Sequence, residues 1–145
     1  MKPPTPTESK HAVEKALADH VIMLQLFATM RSFQVDDGAP IPTDSIAAAR
    51  KLMAHTLPDH YACEETLIFP QFLADHPSVA MVNTIDKLRQ DHRALRQDAQ
   101  TILTLLEAPQ LTGPLADLVR KLLEQFAIQS AKHAARENKL FPSLI

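Results

Sequence analysis

Apolar and polar positions along this chain recur with the period of a helix. Val13, Ala16, Leu17, His20, Leu24 and Phe27 share one face. They predict a first helix from about Thr7 or Glu8 that fades after Phe33. "QVDDGAPIPTD" then reads as a loop with a turn at Asp37-Gly38. Thr43 or Asp44 is placed to cap a second helix reaching about Leu73, with Pro58 and Pro70 marking a kink and an approaching end. "DHPS" is a turn. Met81, Ile85, Leu88, His92, Leu95 and Ala99 put a third helix at about Val79–Glu107. After "APQLTGP", with Pro114 in a first turn, the stripe Val119, Leu122, Phe126, His133, Glu137 and Leu140 gives a fourth helix, about Leu115–Lys139.

No period-two alternation lasts long enough for a strand. Helices of this length with short connections favour an all-α fold, an up-down-up-down antiparallel four-helix bundle. Residues 1–7, with Pro3, Pro4 and Pro6, read as an extended arm, and residues 8–142 as the bundle domain.

The oily stripes carry histidines and glutamates. "HYACEETLIFP" (His60–Pro70) contains His60-x-x-x-Glu64, and "HAARENKLFP" (His133–Pro142) repeats the pattern with His133-x-x-x-Glu137. At 1.5 Å per residue, His20 and His60 both stand roughly 21–24 Å from the loop they share. His60 and His92 are level by the same count, and His133 is off by roughly one turn. One histidine per helix thus falls near one height in the core. Buried and unpaired, such groups cost several kcal/mol, and a metal compensates them. Residues i and i+4 share a helix face, so each His–Glu pair can serve one centre. The two carboxylates can bridge two cations. Imidazoles with carboxylates suit Fe, Mn or Zn rather than Mg or Ca.

Composition narrows the function class. The chain has 145 residues, 46% hydrophobic and 22% charged, with net charge −2. That suits one soluble domain and argues against nucleic acid or an acidic membrane surface as partner. There is no membrane-length apolar run and no signal-peptide core, and the single Cys63 precludes an internal disulfide. A cytoplasmic, reducing location is expected. Only 2 Gly and 7 His fit long helices with a histidine site.

Each residue also has a plainer reading. A lone His20 or His92 would be a satisfied core histidine; the layer across all helices reverses that. His11, His55 and His76 read as solvated, with His55 alternatively beside a ligand. Glu65 reads as solvent-facing or as an acceptor behind a ligand, Cys63 as a small buried apolar group, and Tyr61 as packing. Asp59 and Asp91 are candidates to orient ligand imidazoles, or parts of a charged face. Glu8-x-x-His11, the only Glu-x-x-His, sits at a helix start and is read as chance.

On these residues the chain resembles the hemerythrin-like (HHE cation-binding) family: His20 in "ALADHVIML", "HYACEETLIFP", "DHRALR" and "HAARENKLFP", over about residues 8–142. The resemblance implies an oxo- or hydroxo-bridged pair of iron ions in the bundle core. His20, His60, His92 and His133 would be terminal ligands and Glu64 and Glu137 bridges, with Zn or Mn as substitutes. The family's oxygen carriers have His-x-x-x-His on the third helix, whereas this chain has His92-x-x-x-Arg96, and Glu137 replaces a differently spaced Asp. Fewer terminal ligands favour reactivity with O2, NO or peroxide over simple oxygen carriage. The expected function is therefore binding or sensing of such a molecule. The alternatives are a redox enzyme with a partner protein (NO or peroxide reduction, or iron–sulfur cluster repair) and a structural zinc bundle. No catalytic residue and no organic cofactor is assigned, and a homodimer is compatible with the pattern.

Overall fold

A computed structural model describes residues 5–31 and 38–144. Phe33, Asp37 of the expected turn, the first prolines of the expected arm and the side chain of Phe27 lie outside the described residues.

Helix α1 (Pro6–Arg31) opens with a reciprocal cap. Glu8 N–H donates to Thr5 Oγ1 at 3.1 Å and Thr5 N–H to a Glu8 carboxylate oxygen at 3.2 Å. The second long helix is continuous from Thr43 to Asp75 but not uniform. Its α-helical parts α2 (Thr43–Lys51), α3 (Leu57–Cys63) and α4 (Phe69–Asp75) are joined by π turns at Leu52–Thr56 and Glu64–Ile68. The kink expected at Pro58 and the approaching end expected at Pro70 are both accommodated this way, and the helix runs on to Asp75. A proline ring collides with the carbonyl four residues back. The residue before each proline instead donates five residues back, Leu57 N–H to Leu52 O and Phe69 N–H to Glu64 O, which widens the turn ahead of the ring. Neither Thr43 nor Asp44 caps this helix: Pro42 holds the cap position and no side chain bonds there. Helix α5 (Val79–Leu106) is capped by Ser78, whose hydroxyl accepts from Met81 N–H at 3.1 Å. Helix α6 (Gly113–Leu140) carries Pro114 in its first turn and passes into a 3-10 turn at Phe141–Leu144.

Each helix buries two apolar segments with a polar layer between them. Ala12, Val13, Ala16, Ile68, Phe69, Phe72, Ile85, Leu88 and Phe141 form one cluster. Met23, Leu52, Leu57, Tyr61, Leu95, Ile102, Val119 and Phe126 belong to the other. Reading up the chain, α1 and α5 pass from the first cluster to the second, while the second long helix and α6 pass from the second to the first. That alternation is the up-down-up-down bundle, with no strand among the described residues.

The two glycines clamp the end far from Phe141. Both have positive φ, Gly38 at 77° and Gly113 at 59°. Gly113 N–H donates to Gly38 O at 2.9 Å and Ile41 N–H to Leu111 O at 3.3 Å. A Cβ on Gly38 would meet Gly113 Cα at 3.3 Å, so the two connections press against each other here.

Candidate metal centre

The polar layer consists of His20, His60, Glu64, His92, His133 and Glu137, each at most 4% exposed. The sequence-derived candidates all meet there. Their positions follow from helix geometry: His60 and Glu64 lie one turn apart, as do His133 and Glu137, on core-facing stripes.

Every ring is held from behind, with its other nitrogen facing inward. His20 Nδ1 meets Asn138 Oδ1 at 2.7 Å, and His60 Nδ1 meets Asp19 Oδ2 at 3.1 Å. His92 Nδ1 meets Glu65 Oε1 at 3.1 Å, and His133 Nδ1 meets Asp91 Oδ2 at 3.0 Å. These partners are all acceptors, which assigns a proton to Nδ1 and leaves Nε2 as the nitrogen each ring aims at the layer. Inside, His60 Nε2 lies 2.7 Å from Glu64 Oε1, and His20 Nε2 and His133 Nε2 lie 3.1 Å and 3.2 Å from Glu137 Oε1. His92 Nε2 is 3.6 Å from Glu64 Oε1 and 3.7 Å from Glu137 Oε2, between the two carboxylates.

The electrostatics are those of a site built around positive charge. Burial and the neighbouring Glu137 push the Glu64 carboxyl up. Burial works the same way on Glu137, but its contacts with Glu64, His133, His20 and His92 hold it well below the usual carboxylate range. Burial lowers the His92 ring, yet Glu137 and Glu64 outweigh it and hold His92 at about 9. His60 and His133 are raised for the same reason, burial opposing and Glu64 or Glu137 prevailing. Asp19 and Asp91 stay ionised: burial raises them, and Lys15 and His60, or His133 and Lys87, pull them down further.

The donor set fits a pair of cations. All four oxygens of Glu64 and Glu137, with Nε2 of His92 and His133, are buried with no well-aligned hydrogen bond, although imidazole nitrogens approach the carboxylates to 2.7 Å. Buried polar atoms of this kind require compensation. Two overlapping groups each bring their ligand atoms within 4.8 Å: His20, His60, Glu64, Glu137, and Glu64, His92, His133, Glu137. The carboxylates are common to both groups, so each can span two ions. Nitrogen and carboxylate ligands suit Fe, Mn or Zn.

Other candidates fall elsewhere. His11, His55 and His76 are exposed. Asp59 is exposed, and the residue that orients His60 is Asp19; Asp91 does orient His133. Glu65 is an acceptor behind His92 and also takes an ion pair from Arg96 at 3.2 Å. Cys63 is half-buried against the Phe69 cluster, its thiol pushed up by burial. Tyr61 packs at 2% exposure, its ring stacked on His92 at 4.2 Å. Asp19 and Asn138 were not singled out from the sequence, yet a signal existed. Lys15-x-x-x-Asp19-His20 recurs as Lys87-x-x-x-Asp91-His92, and both lysines pair with their aspartates, at 2.9 Å and 3.2 Å. Glu65 follows Glu64 as Asn138 follows Glu137, and each holds the histidine of α5 or α1. The layer is thus close to two-fold symmetric.

Searches of curated proteins and of solved structures returned no match. The family model "Hemerythrin HHE cation binding domain" matches residues 11–144, which span all four helices and the whole polar layer. The chain therefore belongs to the hemerythrin HHE cation-binding family.

Proposed function

We propose that this chain holds two iron ions and binds or senses a small molecule, O2, NO or peroxide. In this reading His20 and His60 are terminal ligands of one ion, His92 and His133 of the other, and Glu64 and Glu137 bridge them. The observation that carries it is the pair of four-residue groups sharing both buried carboxylates. When bound, the iron pair would supply reversible electron transfer to or from such a molecule.

The protein's own residues do the rest. Asp19, Glu65, Asp91 and Asn138 fix the rings and their tautomers. The Phe69 and Phe126 clusters exclude water above and below the layer. Reaction is favoured over simple carriage because Arg96, where the family's oxygen carriers place a histidine, is turned to Glu65 and supplies no ligand. A cytoplasmic setting and a redox partner protein belong to this same reading. Among the described residues, no helix is long and apolar enough to cross a membrane.

The test is metal content of freshly purified protein never exposed to chelator, with an optical spectrum before and after dithionite. About two irons per chain and a near-ultraviolet band that bleaches support the reading. One zinc per chain, or no metal with the helices intact, would sink it.

A further inference from the structure

A cavity of about 210 Å³ lies between the second long helix and α5, walled by Leu57, Pro58, Tyr61, Ala99 and Leu103, with Arg96 on its polar side. Water takes up about 30 Å³ in the liquid, so the cavity has room for a diatomic molecule or peroxide. Tyr61 is the wall that it shares with the polar layer. The same ring stacks on His92 at 4.2 Å and meets His133 edge-on at 6.3 Å. The Arg96 guanidinium lies 5.5 Å from the centre of the Tyr61 ring. It is tied at 3.2 Å to Glu65, the acceptor behind His92. One aromatic ring, held by one tethered side chain, therefore separates the cavity from the His92 half of the layer.

The other half lacks this frame. In the chain's internal echo, Leu24 stands where Arg96 does and Ala134 where Tyr61 does. The inward nitrogens differ as well. Nε2 of His20, His60 and His133 each lie within 3.2 Å of a carboxylate oxygen, while Nε2 of His92 comes no nearer than 3.6 Å. The most open donor is the one that stacks on Tyr61 beside the cavity.

We propose that this cavity admits a small neutral ligand, a diatomic molecule or hydrogen peroxide, to the His92–His133 half of the centre. Tyr61 is the ring it must displace, and Arg96 is the tether that keeps that ring closed. The assignment of a ligand rests on the proposed function, but passage to Tyr61 does not. A rival way in is the cleft of about 140 Å³ beside His133, lined by Lys87, Asp91, Asp98 and Arg136. Its Asp91 is bound by both Lys87 and Arg136, so a neutral molecule must compete with charge pairs there. Another cavity, about 320 Å³ between Ile102, Leu122 and Phe126, is lined by no residue of the layer.

Tyr61 is the only tyrosine and there is no tryptophan, so the fluorescence reports on access to this ring. In metal-free protein, quenching by neutral acrylamide is compared among wild type, Ala99→Leu, which fills the cavity, and Ala94→Leu, which narrows the rival cleft. In ferrous-loaded protein, the rate of nitric oxide binding is followed by stopped flow for the same set. Ala99→Leu is expected to cut quenching severalfold and the binding rate about tenfold, with Ala94→Leu matching wild type. Arg96→Ala changes a side chain that is 41% exposed, so it spares the core even if Ala99→Leu misfolds. It is expected to raise both quantities. Unchanged values in Ala99→Leu and Arg96→Ala, or slowing confined to Ala94→Leu, would overturn the proposal. If ferrous wild type binds no nitric oxide, the proposed function fails, and acrylamide quenching still decides the passage.

Discussion

At the residue scale, the six groups of the layer divide into donors and the acceptors that aim them, and substitutions should separate the two. Glu64→Ala and Glu137→Ala remove a carboxylate common to both ligand groups, so each should abolish stable metal retention. Glu65→Ala removes only the acceptor behind His92, and outer partners of this kind are worth about 10–100-fold in metal affinity. Metal content after gel filtration checks this, and equal content in all three variants would remove the bridging assignment. Asp19→Ala should likewise weaken metal binding about 10–100-fold, while Asp59→Ala leaves it unchanged. Competition with a chromogenic chelator measures the difference. The contrast also marks what the sequence could say about the site. His60 with Glu64, and His133 with Glu137, were legible because i,i+4 pairing is a property of one helix. Asp19 and Asn138 act across helices, on His60 and His20. Their roles depend on helix rotation and packing, which periodicity does not specify. Asp59, next to His60 in sequence, was a candidate to orient it or to belong to a charged face, and it is exposed.

At the element scale, caps and turns decide where helices begin and how they pass the prolines. Ser78 is a working cap for α5, whereas no side chain caps the helix beginning at Thr43. Ser78→Ala should lower the unfolding free energy by about 1 kcal/mol, and Thr43→Ala by less than about 0.5 kcal/mol. Urea melts of both variants would show it, and equal losses would contradict the cap assignment. The two glycines separate conformational from steric strain in the same way. Both have positive φ, but only Gly38 has a neighbour where a Cβ would go. Ala at Gly113 should cost about 1–2 kcal/mol for the left-handed backbone alone, and Ala at Gly38 more. Helix existence and most boundaries were legible, since each stripe runs unbroken over many turns. The π turns were not, because a proline inside a helical pattern reads equally as a kink, a stop or a widened turn. The hint lay in comparing the two echoes: "EETLIFP" has one residue more than "ENKLFP" between Glu and Phe-Pro. That extra residue falls in the π turn at Glu64–Ile68. The widened turn thus begins at a candidate bridging residue.

At the scale of the whole molecule, the buried polar layer cuts one core into two apolar clusters, each spanning all four helices. The bundle order was legible from helix length and short connections, and the level of the histidines followed from it. The energetic consequence needs the buried carboxylates. Glu64 and Glu137 are fully buried, and the histidines beside them compensate their charge only in part, leaving all four carboxylate oxygens without a well-aligned hydrogen bond. Metal should therefore stabilise strongly: free ion at about 1,000 times its dissociation constant contributes about 4 kcal/mol. For a chain of this size that is a rise of roughly 10 °C in melting temperature. Chelator-treated protein should keep its helical circular dichroism, because the two apolar clusters remain, and melt lower by that amount. Equal melting temperatures would mean that the layer is not a metal site. The complementary variant is Glu64→Leu. It cannot bridge ions, so added iron should no longer shift its melting. Yet replacing a buried charge by an apolar group of similar size is often neutral or stabilising by about 1–4 kcal/mol. Glu64→Leu should then melt at or above metal-free wild type, and below the metal-loaded protein. If it instead melts well below metal-free wild type, Glu64 contributes to the fold without metal, through its contact with His60, and the layer is structural first.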